Sequence, residues 1–476
     1  MRRLAFMLAA VSVIAVSTVF IGFSKQSYIE KKSEELELHK LKARVTAFVN
    51  VNVVPMNQEV ILKNQTVIVE NGFIKVIGSK DAVKVPQGAL IIEGEGKYLM
   101  PGLIDMHVHL AFSTNDLLLY VANGVTSIRN MAGYTGPGLN PLLQVNNHLE
   151  LKERILAGKL LGPDIFSAGQ ILESKKGPSF VKPLYVAVDT AEQAEKAVKE
   201  TKEKDFDFVK VYNKIPLDAF KAVLASAKEN HIRVVGHVPH AANLEEVLRE
   251  KQLYTIEHLN GYMNPFGGFK IPENKVVEYA RLTSEAGVWN CPTIVVWQNI
   301  LPQNKLDSSD KNIYMKYTSP LARKKWRSNI ESFNKKIAAG FEGYERTPSE
   351  HIGDYMLLTK ELHEAGAGIL LGTDSGTLNV IPGYSIHQEL ENLVRAGLTP
   401  YEAIRAGTID AALCLEKLEK LGTVEVNKQA DLVLLEANPL DSVKNIDMRL
   451  GVMVNGVWLP QETLDDMLVE LALTYR

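Results

Sequence analysis

Pro101-Gly102-Leu103-Ile104-Asp105-Met106-His107-Val108-His109 reads as a short apolar strand that ends in two histidines. Residues i and i+2 of an extended chain point to the same side. His107 and His109 therefore present both imidazoles at one strand end, placed to hold one ion. Working outward, the segment from 101 to 415 alternates short apolar runs with helical stretches. Eight runs read as strands: Leu103–Met106, Thr126–Asn130, Asp164–Ala168, Phe208–Val211, Val234–His237, Thr255–His258, Val288–Pro292 and Ile369–Gly372. Strand–helix alternation implies parallel strands, and eight such units make a closed (β/α)8 barrel of TIM type. The competing fold, an open doubly wound sheet, normally carries a glycine-rich phosphate turn after its first strand. Here that position holds His107-Val108-His109.

The two flanks have a different texture. Thr66–Val69 and Phe73–Ile77 are β-branched runs around Asn71-Gly72, and Val452–Val454 and Val457–Leu459 flank Asn455-Gly456. Asn-Gly accepts the positive φ angles of a type I′ hairpin turn. Ala89–Ile92 and Ala430–Leu435 add further strands. The α/β chain thus divides into the barrel and a small composite β-sandwich built from both ends, 43–100 and 416–465. One connection is out of scale. The segment from about 298 to 354, with Tyr314, Tyr317, Trp326, Phe333 and Tyr344, is an insertion before the eighth strand. Connections that follow barrel strands lie on the catalytic face, so it reads either as an active-site cover or as a helical hairpin.

Met1-Arg2-Arg3 precedes twenty uncharged residues, Leu4 to Phe23. That length crosses a bilayer as a helix, and the arginines stay on the cytoplasmic side. Residues 1–24 are read as a signal anchor or signal peptide, and the body as extracytoplasmic, periplasmic or secreted. Residues 25–42 read as a polar spacer. Lys and Arg number 53 against 56 Asp and Glu, a formal charge of −3. This balance excludes the basic footprint of a nucleic-acid binder. Arg323-Lys324-Lys325 reads as a solvated helix face. Cys291 and Cys414 read as two buried thiols, with one disulfide as the alternative for an exported chain.

Four more polar residues share the strand-end context of His107 and His109. Lys210 lies inside the fourth strand, His237 ends the fifth, His258 ends the sixth, and Asp374 follows the eighth. Alone, each is more often structural. Together they form a set of metal-compatible donors at one end of one ring of strands. Lys210 stands among Phe208, Val209 and Val211, where a charged amine is costly to bury. A neutral amine there can react with carbon dioxide to give an anionic carbamate. Tyr212, two residues beyond Lys210, reads as a donor to a substrate carbonyl. His240, after the fifth strand, and Arg129, ending the second, read as substrate contacts. His387 reads as structural.

The segment 101–109 resembles the opening signature of the amidohydrolase superfamily. Lys210, His237, His258 and Asp374 match the later ligands of its two-metal form. The segment 422–433 is similar to its sheet-domain return. Gly124-Val125-Thr126 and Phe208–Tyr212 are closest to the imidazolonepropionase-like and Xaa-Pro dipeptidase-like branch. Asn130 departs from the Asp of many relatives. The resemblance implies that His107, His109 and Asp374 hold one ion and that His237 and His258 hold another. A carboxylated Lys210 and a hydroxide bridge the two. It implies Asp374 as the proton carrier, zinc as the metal these ligands favour, and a small-molecule substrate with an amide-like C–N bond, in a dipeptide or cyclic amide. The alternatives are a one-metal deaminase or lactone hydrolase on this fold, and an inactive binding scaffold. A homo-oligomer is compatible with any of them.

Overall fold

The computed structural model describes residues 26–42, 44–136, 147–177, 184–264, 268–300, 312–338 and 347–476. The apolar run 4–23 lies outside them, as do 301–311 and 339–346 of the insertion. Among the described residues no helix is long and apolar enough to cross a membrane.

The two flanks meet in one eight-stranded sheet. Its order is Val457–Pro460, Arg449–Val454, Leu432–Leu435, Tyr98–Pro101, Thr46–Val53, Leu62–Glu70, Phe73–Ser79, with Leu90–Glu93 also paired to Thr46–Val53. Most pairs are antiparallel; Thr46–Val53 runs parallel to Leu90–Glu93 and Tyr98–Pro101. Both hairpins form where the Asn-Gly pairs stand. Asn71 and Gly72 have φ of 53° and 82°, and Asn455 and Gly456 have 52° and 78°. The two turns abut: a Cβ on Gly456 would lie 2.2 Å from the Cα of Gly72. Phe48, Val67, Ile74, Leu99, Leu432 and Met453 form the sheet's apolar core.

The barrel strands are parallel and run in the order read from the sequence: Leu103–Val108, Val125–Asn130, Asp164–Glu173, Phe208–Val211, Arg233–Gly236, Thr255–Glu257 and Trp289–Cys291. The first two are buried at all six positions, as expected of strands covered on both faces. The eighth unit is not a regular strand. It closes the ring through single bridges, Ile369 to Asn290 and Ser375 to Val108. Backbone bonds complete the closure, with Leu370 N–H to Asn290 O at 2.8 Å and Met106 N–H to Leu371 O at 2.9 Å. The positive φ of Asp374, 60°, turns the chain before a ladder can continue. Cys291 and Cys414 are free thiols buried in one apolar cluster with Met106, Phe208 and Leu370.

Residues 26–42, within the segment expected to be a spacer, instead pack on the body. Helices Tyr28–Glu35 and Leu38–Lys42 bury Ile29 and Leu38. The Ile29 amide donates to Asn115 Oδ1 at 3.0 Å, and Ser33 Oγ accepts from the Leu161 amide at 2.9 Å. Sequence reading saw the charges and missed that Ile29 and Ser33, one turn apart, share a face. Ile29→Ala is expected to lower unfolding free energy by about 2–4 kcal/mol in chemical denaturation. An unchanged midpoint would return the segment to a tether.

The C-terminal helix Gln461–Thr474 also extends the fold beyond residue 465. The described part of the insertion is helical. In Pro320–Ala338 the positions Ala322, Trp326 and Ile330 face inward, and Trp326 Nε1 donates to Gly376 O at 3.1 Å. The insertion is thereby braced against the turn that carries Asp374.

Candidate metal centre

The structure brings the histidines to one barrel mouth. The rings of His107 and His109 lie 5.3 Å apart, those of His107 and His258 4.5 Å, and those of His237 and His258 5.0 Å. Asp374 Oδ1 lies 3.0 Å from His109 Nε2 and 3.5 Å from His107 Nε2. One donor atom each from His107, His258 and Asp374 lies within 4.8 Å of the others, close enough for one cation. Local backbone makes this possible. His258, Leu259, Thr293 and Asp374 all adopt positive φ, between 49° and 60°. Such conformations cost of order 1–3 kcal/mol and gather at functional sites. Gly236 is required beside Lys210, because a Cβ there would meet Val211 O at 2.2 Å.

The hydrogen bonds set the tautomers. His107 Nδ1 lies 2.7 Å from Glu257 Oε2, His237 Nδ1 2.8 Å from Asn213 Oδ1, and His258 Nδ1 2.6 Å from Thr293 Oγ1. Carboxylate and amide oxygens only accept. The Thr293 hydroxyl donates to Pro292 O, so it accepts from His258. All three rings therefore carry their proton on Nδ1 and offer the Nε2 lone pair. This is the arrangement of metal-ligating imidazoles. His107 Nε2, His237 Nε2 and Lys210 Nζ are buried with no hydrogen-bond partner among the described residues. Buried polar atoms without partners are rare, and these three have the donor chemistry of a cation site.

Electrostatics agree. Burial holds the pKa of His107 and His237 well below the ordinary imidazole value, with Lys210 adding to it. Burial brings His258 to about 4. The rings are neutral at pH 7, as ligands must be. Burial pushes the Asp374 carboxyl up, but the imidazoles of His258 and His109 outweigh it and hold it below its usual value. Burial lowers the Lys210 amine to about 8, against the pull of Glu257 and Asp374.

Residues 98–459 match the model of the amidohydrolase family. The chain belongs to this family. Imidazolonepropionase of Bacillus cereus is 23% identical over 430 residues, covering 85% of this chain and 89% of that protein. A 5-methylthioadenosine/S-adenosylhomocysteine deaminase of Caldanaerobacter subterraneus is 24% identical over 411 residues, covering 82% and 84%. A solved Xaa-Pro dipeptidase with bound methionine shares the fold at TM-score 0.64 and 17% identity, covering 87% of this chain and all of that one (100%). Amidohydrolase membership makes this chain a hydrolase.

Around the centre, this amidohydrolase uses residues that sequence reading did not single out. Glu257 orients His107 and also accepts from Arg129 Nη2 at 2.8 Å and from the Thr255 hydroxyl. Thr255 and Glu257 share a strand face, a pairing visible by alternation alone. Asn213 follows Tyr212, and Thr293 follows Pro292, both in loops without periodicity. Asn213→Ala is expected to weaken retention of an ion at His237 by about 10–100-fold in a chelator competition; unchanged retention would make the contact incidental.

Arg129 is a correction. It was expected at a substrate carboxylate, yet it is 0% exposed inside the barrel. Its guanidinium donates to Met106 O at 2.6 Å and to Thr255 and Glu257. It lies too deep for substrate, because the side chain crosses the barrel interior from Val125–Asn130 to Thr255 and Glu257. Tyr212 is at the site, its ring 4.2 Å from that of His237. His240 is on the exposed rim, its amide bonded to Asn213 O at 2.8 Å. His387 is structural, between Arg449 and Asp447. Asn130 and the unselected His148 bond each other beside the loop after His109.

Proposed function

We propose that this chain hydrolyses an amide-like C–N bond in a dipeptide or cyclic amide, using two divalent cations, with zinc the metal its donors favour. The carrying observation is the set of outward-tautomer imidazoles around Asp374 and the buried, partnerless Lys210 amine. His107, His109 and Asp374 would hold one ion, and His237 and His258 the other. Lys210, as the carbamate formed when its neutral amine adds carbon dioxide and releases a proton, would join them. When bound, such cations supply Lewis acidity and bring the pKa of water to about 7.

The chain's own groups supply the rest. Asp374, held ionised beside His109, accepts a proton from the attacking water and returns it to the leaving nitrogen. Tyr212 donates to the substrate carbonyl oxygen as charge develops there. His240, on the rim, contacts the remainder of the substrate. Arg129 and Glu257 position His107 and touch no reactant.

Residues 4–23 are proposed to lie in the bilayer, or to be removed after export, leaving the catalytic body outside the cytoplasm. The test loads the purified chain with zinc and counts metal. It then follows hydrolysis of Xaa-Pro dipeptides, N-acyl amino acids, lactones and cyclic amides. About two ions per chain with turnover of an amide supports the reading. One ion with deamination or lactone opening would replace it.

A further inference from the structure

The insertion and the C-terminal helix make a surface that the catalytic reading does not use. A pocket of about 740 Å³ is lined by Lys316, Arg323, Lys324 and Arg327, with Glu331 its one acid. Lys316, Arg323 and Lys324 form no ion pair among the described residues. On this helix Lys324 lies opposite the buried Ala322 and Trp326 and is exposed, as is Arg327, while Arg323 is half-buried at the edge of the pocket.

Large apolar side chains stand beside these charges. Ile313 is 68% exposed and Tyr314 40%. Their 3₁₀ helix, Ile313–Tyr317, packs against the C-terminal helix. On that helix Val469 and Leu473, each 54% exposed, are four residues apart and share a face. Its exposed acids Glu462 and Asp465 stand in the first turns, and Asp466 lies one turn before Val469 on the same face. Glu470, between the two apolar residues, is neutralised by Lys32 at 2.8 Å and bonded by Tyr28 Oη at 2.8 Å. The described chain thus begins on this same surface, three residues after the apolar run that ends at Phe23.

Cations without a carboxylate partner, Lys316 resting over the Tyr317 ring at 4.8 Å, flanked by exposed apolar side chains suit a membrane interface, where phosphates take the charge and the apolar groups leave water. We infer that this face seats on an anionic phospholipid surface. Lys316, Arg323 and Lys324 take headgroup phosphates, and Ile313, Val469 and Leu473 enter the interface. The surface is tied to the catalytic end of the barrel. Tyr475 Oη bonds Ser113 Oγ at 3.1 Å and Asn115 Nδ2 at 3.0 Å, in the loop after His109. Trp326 bonds Gly376 after Asp374. Docking therefore turns the mouth toward the bilayer, and substrate arrives at the interface. The charges and apolar residues stand without the N-terminal membrane proposal; the position of the chain's start rests on it.

The test uses the full chain with phosphatidylcholine vesicles, with and without phosphatidylglycerol. Native cysteines are buried, so spin labels go to Ile313→Cys, Leu473→Cys, and Ile91→Cys on the sheet domain. With phosphatidylglycerol, the labels at 313 and 473 are expected to gain contact with oxygen and lose contact with a water-soluble nickel chelate. The label at 91 is expected to stay wet. Adding K316E, R323E and K324E together is expected to return label 313 to the water value while the circular dichroism spectrum holds. Labels 313 and 473 as wet as 91 would overturn the proposal. So would an equal response in pure phosphatidylcholine, or a response to free glycerol 3-phosphate with none to vesicles. Flotation after a carbonate wash tests the anchor separately, because the labels report the seating whether or not residues 4–23 hold the chain.

Discussion

Lys210→Ala is expected to retain at most about one divalent ion per chain and to lose on the order of 100-fold to 1,000-fold in kcat/KM. The amine sits in the fourth strand, 1% exposed, with Nζ lacking any partner. An unmodified ammonium there would repel cations held by His107 and His237. As the proposed carbamate it would be an anion between them, so its removal would delete a shared ligand. Elemental analysis with kcat/KM in zinc-supplemented buffer reads the change. Small carboxylates such as formate are expected to restore part of the rate by occupying the vacated volume. An alanine variant with two ions and full turnover would end the bridging role. The same variant is expected to keep its fold, because the Lys210 amine makes no hydrogen bond to any described residue that its loss would strand.

Glu257→Ala has the opposite signature: it is expected to strike stability first. Glu257 and Arg129 are both 0% exposed and paired at 2.8 Å, with His107 on the second carboxylate oxygen. Removing the carboxylate leaves a guanidinium inside the barrel with no counter-charge, a loss of about 3–5 kcal/mol. Urea denaturation at neutral pH checks it. Adding Arg129→Met to the same chain is expected to recover much of that loss, since an apolar pair fills the space without a stranded charge. If Arg129 bound substrate instead, Arg129→Met alone would raise KM and leave the denaturation midpoint unmoved.

The difference between Lys210 and Arg129 shows how far the sequence could be read. Both are cations in apolar strands. Lys210 reads as a candidate ligand because donors of matching chemistry recur at strand ends around it. Arg129 was misread because every position of its strand is buried, so no polar alternation tells which face looks into the barrel. The Asn-Gly hairpins were legible because local φ preference decides them. The eighth unit was legible as an apolar run, but its irregular backbone was not. Positive φ at His258 and Asp374 is imposed by the surrounding bonds, not by local preference. Glu257 was within reach of the alternation argument and was passed over beside His258. Asn213 and Thr293 were out of reach, since loop contacts carry no period. The docking of Ile29 and Ser33 was hidden behind the charges around them.

The strand Leu432–Leu435 lies in the interior of the sheet, between Tyr98–Pro101 and Arg449–Val454. The N-terminal strands therefore present an open hydrogen-bonding edge until Leu432–Leu435 has been made. Vectorial synthesis cannot finish the first-made module before the barrel, and native pairing waits for residues 432–460. A nascent chain that cannot yet knit these two segments together keeps the open edge of its first strands unpaired throughout synthesis of the barrel.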